Sequence, residues 1–111
     1  MSLDFSLYAT DQDGNEFEVL DKNITHNLTS MAREAGVYEA LWRPSEINAT
    51  TGKDIIHILE NGLEQMTADP PRFKKHNPDN GWGSYIHFLP WIEEVLEGCR
   101  KYPSATIHVS R

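Results

Sequence analysis

The strongest constraint on the fold is a run of apolar residues between positions 85 and 99, spaced three and four apart. Because a helical turn takes 3.6 residues, this spacing places the whole run on one face of an α-helix. The run consists of Tyr85, Phe88, Leu89, Ile92, Leu96 and Cys99. Pro90 lies inside it and has no N–H to donate, so it must either kink the helix or begin a new first turn. We therefore predict a long helix with Ser84 as its N-terminal cap, closed by Pro103.

A shorter helix is predicted nearer the N-terminus. Its apolar residues are Leu28, Met31, Ala32 and Ala35. Thr25 or Asn27 can cap its start, and Gly36 fits its C-terminal end. Residues 37–42 continue as a further turn or two of helix, which Pro44 stops.

Another amphipathic helix is predicted to begin in the segment Thr51-Gly52-Lys53-Asp54. Thr51 is expected to be its cap, with Asp54 at the capping-box position. The apolar stripe consists of Ile55, Ile56, Leu59, Leu63 and Met66. Gly62 costs up to ~1 kcal/mol relative to Ala unless another element must approach closely there. Asp69-Pro70-Pro71 is expected to end the helix.

Strict alternation of apolar and polar residues predicts three strands. Residues 5–10 and 16–19 flank the turn former Asp13-Gly14 and are expected to form a hairpin over about residues 3–20. Residues 105–110 alternate in the same way, and because two strands alone are marginal, this strand should join the hairpin. The residues expected to face the core are Phe5, Leu7, Phe17, Val19, Ile107 and Val109. We predict a single two-layer α+β domain over residues 1–111, with a three-stranded antiparallel sheet covered on one face by three main helices.

The formal net charge of the chain is −7. An acidic surface repels phosphate backbones, so direct nucleic-acid binding is not expected. Residues 1–5 lack the basic start and apolar run of a signal peptide, and no segment approaches the ~20 apolar residues that span a bilayer. These features predict a soluble cytoplasmic protein with no membrane partner. The single cysteine, Cys99, excludes an internal disulfide.

No motif in the sequence defines a reaction. A Gly-x-Ser-x-Gly nucleophile elbow is absent, and Ser84 and Cys99 are explained as a helix cap and a core residue. The five histidines include no i,i+4 pair and no cysteine neighbour, so no metal site is predicted. Lys53 lacks the upstream glycine and strand of a phosphate-binding loop, and in residues 11–16 the glycine comes two positions too early for an EF-hand. We therefore expect no cofactor and a non-enzymatic role.

Two clusters near the first helix are candidates for binding. His26 lies at a helix start, where unpaired N–H groups can hold an anion, although these residues also serve as an ordinary cap. Trp42 and Arg43 could stack on or grip a planar or anionic ligand. The structural alternative is a Trp that seals the core edge and an Arg that pairs with a surface Glu.

A third candidate cluster is Asn80-Gly81-Trp82-Gly83. The flanking glycines allow close backbone approach and leave Trp82 able to point outward, whereas the alternative is a tight loop whose Trp plugs the core. If the three clusters line one cleft, Trp42 and Trp82 would form its walls, and His26 and Arg43 would be polar contacts.

Several segments resemble a family of small uncharacterised proteins found in bacteriophages and in bacteria that carry mobile elements. The similar segments are residues 23–28 (NITHNL), 38–44 (YEALWRP), 80–83 (NGWG) and 109–111 (VSR). The resemblance spans most of the chain and implies a small intracellular accessory protein encoded by a phage. It brings no established activity, cofactor or catalytic residue, so no site role is carried over.

Three hypotheses for function follow. The leading one is a binding module that holds a small polar ligand or a host partner protein through His26, Trp42, Arg43, Asn80 and Trp82. The second is a small hydrolase-like enzyme with His26 as general base, which requires a carboxylate or hydroxyl near that ring. The third is an assembly role through dimerisation of the open sheet face or edge, so the protein could be a monomer or a homodimer.

Overall fold

The computed structural model describes residues 1–79 and 83–111 and confirms the predicted α+β class. The strands are β1 (Ser2–Thr10), β2 (Glu16–Thr25) and β3 (Thr106–Ser110). The α-helices are α1 (Thr29–Ala35), α2 (Tyr38–Trp42), α3 (Ile56–Ala68), α4 (Pro70–Lys74) and α5 (Tyr85–Lys101). Short 3₁₀ turns cover His26–Leu28, Pro44–Ile47 and Gly52–Asp54.

The three strands form one antiparallel sheet in the order β2-β1-β3, so the C-terminal strand joins the hairpin as predicted. Leu7 pairs with Leu20 on β2, but the next pair is Tyr8 with Glu18, which leaves Val19 as an extra residue. This β-bulge shifts the alternation of β2 by one position, so Leu20 joins Val19 in packing against the core.

Most of the residues predicted to face the core do so. Phe5 and Leu7 are fully buried, and Val19, Ile107 and Val109 are partly buried against the core. The prediction was wrong for Phe17, which pairs with Ala9 near the hairpin tip and remains 49% exposed. Its partner Ala9 on the same face of the sheet is only partly buried, so the hairpin tip extends past the region that the helices cover.

Helix α5 runs through Pro90 as one helix, so the proline does not begin a separate first turn. The N–H that Pro90 lacks would have bonded to the carbonyl of Ile86, four residues earlier. Ile86 is 67% exposed, so this part of the helix faces water, which can satisfy that carbonyl. Ser84 lies at the cap position, but its hydroxyl contacts Nδ1 of His87 at 2.9 Å. The side-chain oxygen of Asn77 instead accepts from the Tyr85 N–H at 2.8 Å.

The predicted end of α1 and the predicted start of the α3 segment are both present. Gly36 ends α1 in the left-handed region at φ 76°, and Thr51 and Asp54 form the predicted capping box before α3. The segment 69–71 ends α3, but its two prolines also begin α4, which was not predicted as a separate helix. Within the described residues, none of the helices combines the length and apolar composition needed to cross a membrane.

Candidate ligand-binding site

A hydrogen bond between His26 and Trp42 links two of the predicted binding clusters. The Thr25 hydroxyl accepts from the Asn27 N–H at 3.2 Å, which sets the start of the 3₁₀ turn containing His26. Trp42 is the last residue of α2 and is 1% exposed. Its indole Nε1–H donates to Nδ1 of His26 at 2.9 Å. The prediction that Trp42 could form an open wall of a cleft was wrong, because only its edge reaches the half-buried imidazole.

This hydrogen bond fixes the tautomer of the neutral His26 ring. An indole N–H can only donate, so Nδ1 must carry the lone pair and Nε2 must carry the proton. Among the described residues, none accepts a hydrogen bond from Nε2. A shallow depression beside the ring is lined by Met1, Thr25, His26 and Asn27. His26 lines this depression, and Trp42 determines which of its ring nitrogens carries the N–H donor.

Arg43 is held by residues of its own region. Its Nε donates to the Tyr38 hydroxyl at 3.1 Å, and its Nη1 lies 3.3 Å from Oε2 of Glu46. The hydrogen bond with Tyr38 favours the charged guanidinium and raises the pKa of Arg43 above its usual value. The alternative interpretation of an Arg paired with a surface Glu therefore fits this side chain.

Tyr38 connects the cationic residues to the buried indole. Its ring stacks on Trp42 with centroids 5.7 Å apart and an interplanar angle of 14°. On the Tyr38 ring lies the guanidinium of Arg33, 4.1 Å from the centroid. Arg33 was not among the predicted site residues. Arg33 lies in α1 and Tyr38 lies in α2. Because the chain is not one continuous helix between them, the helical spacing rules gave no indication of this contact.

The described chain resumes at Gly83, which lies against two residues on either side of His26. It has φ 78°, and a Cβ there would lie 2.6 Å from Cγ2 of Thr25 and 3.2 Å from Leu28. The left-handed backbone and the close packing both favour glycine at this position. The candidates Asn80 and Trp82 themselves lie outside the described residues. The structure therefore joins His26 and Trp42 directly, while the third cluster is represented by its Gly83 end.

A second polar cluster, absent from the sequence predictions, joins α1 to α4. Oε2 of Glu34 accepts from Nε and Nη2 of Arg72 at 3.0 and 2.8 Å. Its other oxygen lies 3.2 Å from Nε2 of His76. The hydrogen bonds from Arg72, followed by that from His76, hold the pKa of Glu34 below its usual value. This cluster positions the segment that leads to Asn77, which accepts from the first N–H of α5, so we interpret it as structural support.

The described part of the chain supports neither metal binding nor nucleophilic catalysis by cysteine. It contains no group of three or more His, Cys, Asp or Glu side chains placed to hold a metal ion. Cys99 is buried, and burial raises the pKa of its thiol to about 12. A thiol with such a pKa is protonated at neutral pH and is a poor nucleophile.

Comparisons with known proteins add no further constraint. No protein-family model, curated protein or solved structure matches the chain. The resemblance to phage and mobile-element proteins therefore stays a prediction, and the functional argument rests on the geometry around His26.

Proposed function

We propose that this protein is a non-enzymatic binding module that holds a small polar ligand, or a polar segment of a host partner protein, at the depression beside His26. The observation that carries the proposal is the 2.9 Å hydrogen bond from the buried Trp42 indole to Nδ1 of His26. A rigid core residue thereby orients a surface imidazole with its Nε2–H as the remaining donor. Such preorganised donors reduce the ordering cost of binding.

The same hydrogen bond favours binding over general-base catalysis. A general base needs a ring nitrogen whose lone pair can take a proton from the substrate. In His26 the lone pair at Nδ1 already accepts from Trp42, and Nε2 carries the proton. Catalytic histidines are commonly oriented by a carboxylate that accepts from the ring. Here the orienting group is a donor, so His26 is suited to hydrogen-bond an acceptor atom of a ligand.

The neighbouring groups favour a ligand that carries oxygen acceptors. Thr25 and Asn27 add a hydroxyl and a side-chain amide to the lining of the depression. The guanidiniums of Arg33 and Arg43 both contact Tyr38, which stacks on the far side of the His26–Trp42 pair. Arg43 is paired with Glu46, whereas Arg33 takes part in no ion pair within the described residues. Arg33 therefore adds positive charge to this region of a chain of net charge −7, which favours an oxygen acceptor of a ligand.

The predicted loop residues Asn80 and Trp82 complete the proposed site. They lie within three residues of Gly83, which packs on Thr25 and Leu28 near His26. In this proposal the Trp82 indole covers a ligand seated on the imidazole, and the Asn80 amide adds a further polar contact. The resemblance to phage and mobile-element proteins is consistent with an accessory role in the cytoplasm of a host cell.

The proposal is tested by thermal shift and calorimetry with inorganic phosphate, nucleobases, nucleosides, and nucleoside mono- and triphosphates, set beside pull-downs from a bacterial host. We expect at least one compound or partner to bind, and His26→Ala to weaken that binding tenfold or more. The matched control is His57→Ala, because the side chain of His57 is 96% exposed on α3 and away from the lining residues. Equal affinity in both variants, or no binding by any compound or partner, would overturn the proposal.

A further inference from the structure

Helices α3 and α5 form a second surface feature that the His26 site does not use. The two helices are antiparallel, since Arg100 near the end of α5 contacts Glu60 near the start of α3, and Tyr85 at the start of α5 donates to the carbonyl of Met66. A groove runs between them on the outer side. Its lining residues are Glu60, Leu63, Glu64, Thr67, Glu93, Leu96, Glu97 and Arg100.

The groove has an apolar floor and an acidic rim. Leu63 and Leu96 supply the floor, one from each helix. Four carboxylates and a single guanidinium supply the rim, and Arg100 contacts two of those carboxylates, Glu60 and Glu97. Within the described residues, Glu64 and Glu93 take part in no ion pair, and both are exposed. The groove therefore keeps a net negative charge above a floor that is largely covered, since Leu96 is 4% exposed and Leu63 is partly buried.

An exposed isoleucine extends this apolar surface along α5. Ile86 is 67% exposed and precedes Glu93 by seven residues, which places it on the same helix face two turns earlier. A single exposed aliphatic side chain is normal on a soluble protein, but one in line with this groove lengthens the surface that a partner could contact.

We propose that the α3/α5 groove docks one face of a basic amphipathic helix from a partner protein. Leu-sized residues of that helix would lie over Leu63 and the exposed Ile86. Its Lys or Arg residues would pair with Glu64 and Glu93. Two antiparallel helices present ridges and grooves that accept a third helix by ordinary side-chain packing.

Two other occupants fit the groove less well. An extended peptide would leave its backbone N–H and C=O groups unpaired, because the backbones of α3 and α5 are bonded within each helix. A second copy of this chain would bring net charge −7 against an acidic rim. Charge complementarity therefore selects a cationic helix from a different protein.

The test uses a fluorescein-labelled 18-residue peptide of Leu and Lys, with Leu at helical spacings of three and four, and a scrambled peptide of the same composition. Binding is measured by fluorescence anisotropy at about 0.15 M salt, where surface charges interact over only ~8 Å. We expect the double variant Glu64→Lys/Glu93→Lys to weaken binding of the helical peptide at least tenfold. Ile86→Glu should weaken it several-fold and keeps the floor of the groove intact.

The matched control is Glu16→Lys/Glu18→Lys, which changes the net charge by the same amount on the exposed hairpin. It should change the affinity less than twofold. Circular dichroism checks that each variant is folded, and Ile86→Glu decides the outcome if the double variant is not. The proposal is overturned if the helical peptide does not bind, if the scrambled peptide binds equally well, or if the hairpin variant weakens binding as much as the groove variant.

Discussion

At the scale of single residues, Trp42 connects the core to the proposed site. It is 1% exposed, stacks on Tyr38 and meets Phe88 edge-on with centroids 6.3 Å apart. Its only polar atom donates to His26. A buried Trp whose N–H has a partner is stable, because the large apolar ring is removed from water without an unpaired polar group.

Trp42→Phe tests this connection. The change removes the indole N–H and part of the ring, and we expect a loss of about 1–3 kcal/mol in the free energy of unfolding. We also expect the neutral His26 ring to lose its fixed Nε2–H tautomer, which nitrogen NMR of the imidazole reports. Trp91→Phe is the matched control, because Trp91 donates to the backbone carbonyl of Asn23 at 3.0 Å. Trp91→Phe should lower the free energy of unfolding without changing the His26 tautomer. If Trp42→Phe also leaves the His26 tautomer unchanged, the account is contradicted.

Gly62 lies where α3 packs so closely on neighbouring residues that there is no room for a Cβ atom. A Cβ at this position would lie 2.4 Å from Cγ1 of Val37 and 3.1 Å from the carbonyl oxygen of Ala35. Although Ala gains up to ~1 kcal/mol in helix propensity, we expect Gly62→Ala to destabilise the protein by about 1–3 kcal/mol. Gly98→Ala should cost less, because its Cβ would meet the end of the Leu20 side chain at 3.0 Å. Urea unfolding measures the stability of both variants. A Gly62→Ala variant more stable than the wild type would show that Gly62 does not pack closely on Val37 and Ala35.

At the scale of elements, the contact between α1 and α4 depends on a charged cluster. Glu34 on α1 accepts hydrogen bonds from Arg72 and lies within hydrogen-bond distance of His76. Arg72 also donates from Nη1 to the side-chain oxygen of Gln65 on α3 at 3.2 Å. The Arg72 guanidinium thereby connects α4 to α1 and α3, and Glu34 also connects α1 to His76 in the segment after α4.

The cluster predicts a pH-dependent effect of Glu34→Gln. The pKa of Glu34 is lowered in the folded state, so its stabilisation is present above the unfolded pKa of about 4.3 and is lost as the pH falls through the lower folded value. Glu34→Gln should therefore be less stable than the wild type at pH 7, with a difference that shrinks on acidification below about pH 4. Urea midpoints measured from pH 7 to strong acid test this. Glu64→Gln is the control, and a Glu34→Gln deficit that stays constant with pH would exclude an ionic contribution.

Local patterns in the sequence were sufficient to predict most elements but not their long-range contacts. Thr51 and Asp54 were assigned correctly because a capping box lies within four residues. The bulge at Val19 was missed because the predicted strand stopped at residue 19, just before Leu20 and Ile24, where the apolar positions change register. The Trp42–His26 and Arg72–Glu34 contacts join residues 16 and 38 positions apart. Such pairs depend on tertiary packing, which no local period encodes.

At the scale of the whole molecule, the uncovered face of the sheet is polar and acidic. Cross-strand pairs place Asp4 beside Asn23 and Ser110, and Ser6 beside Asp21 and His108. Toward the hairpin tip, Glu18 and Glu16 pair with Tyr8 and Thr10 on the same face. Two such faces brought together would oppose like charges and bury hydrogen-bonding groups.

We therefore expect the protein to sediment as a monomer at neutral pH, even at concentrations of about 100 µM, where weak dimers with micromolar Kd form. Sedimentation velocity at two salt concentrations is the measurement. A dimer that strengthens with salt would show that repulsion between the sheet faces had been screened. It would favour the assembly hypothesis over a monomeric binding module.

The central claim is that the imidazole of His26, oriented by Trp42, receives a ligand. Nitrogen–proton NMR during titration with the compounds of the binding screen tests it most directly. Two indoles of the described residues report different places, because Trp42 contacts His26 and Trp91 contacts Asn23. The account predicts that a bound ligand shifts the Trp42 indole, the Asn27 amide and the His26 ring signals while the Trp91 indole stays unchanged. Ligand-induced shifts that leave Trp42 and His26 unmoved, or no shifts with any compound, would contradict it.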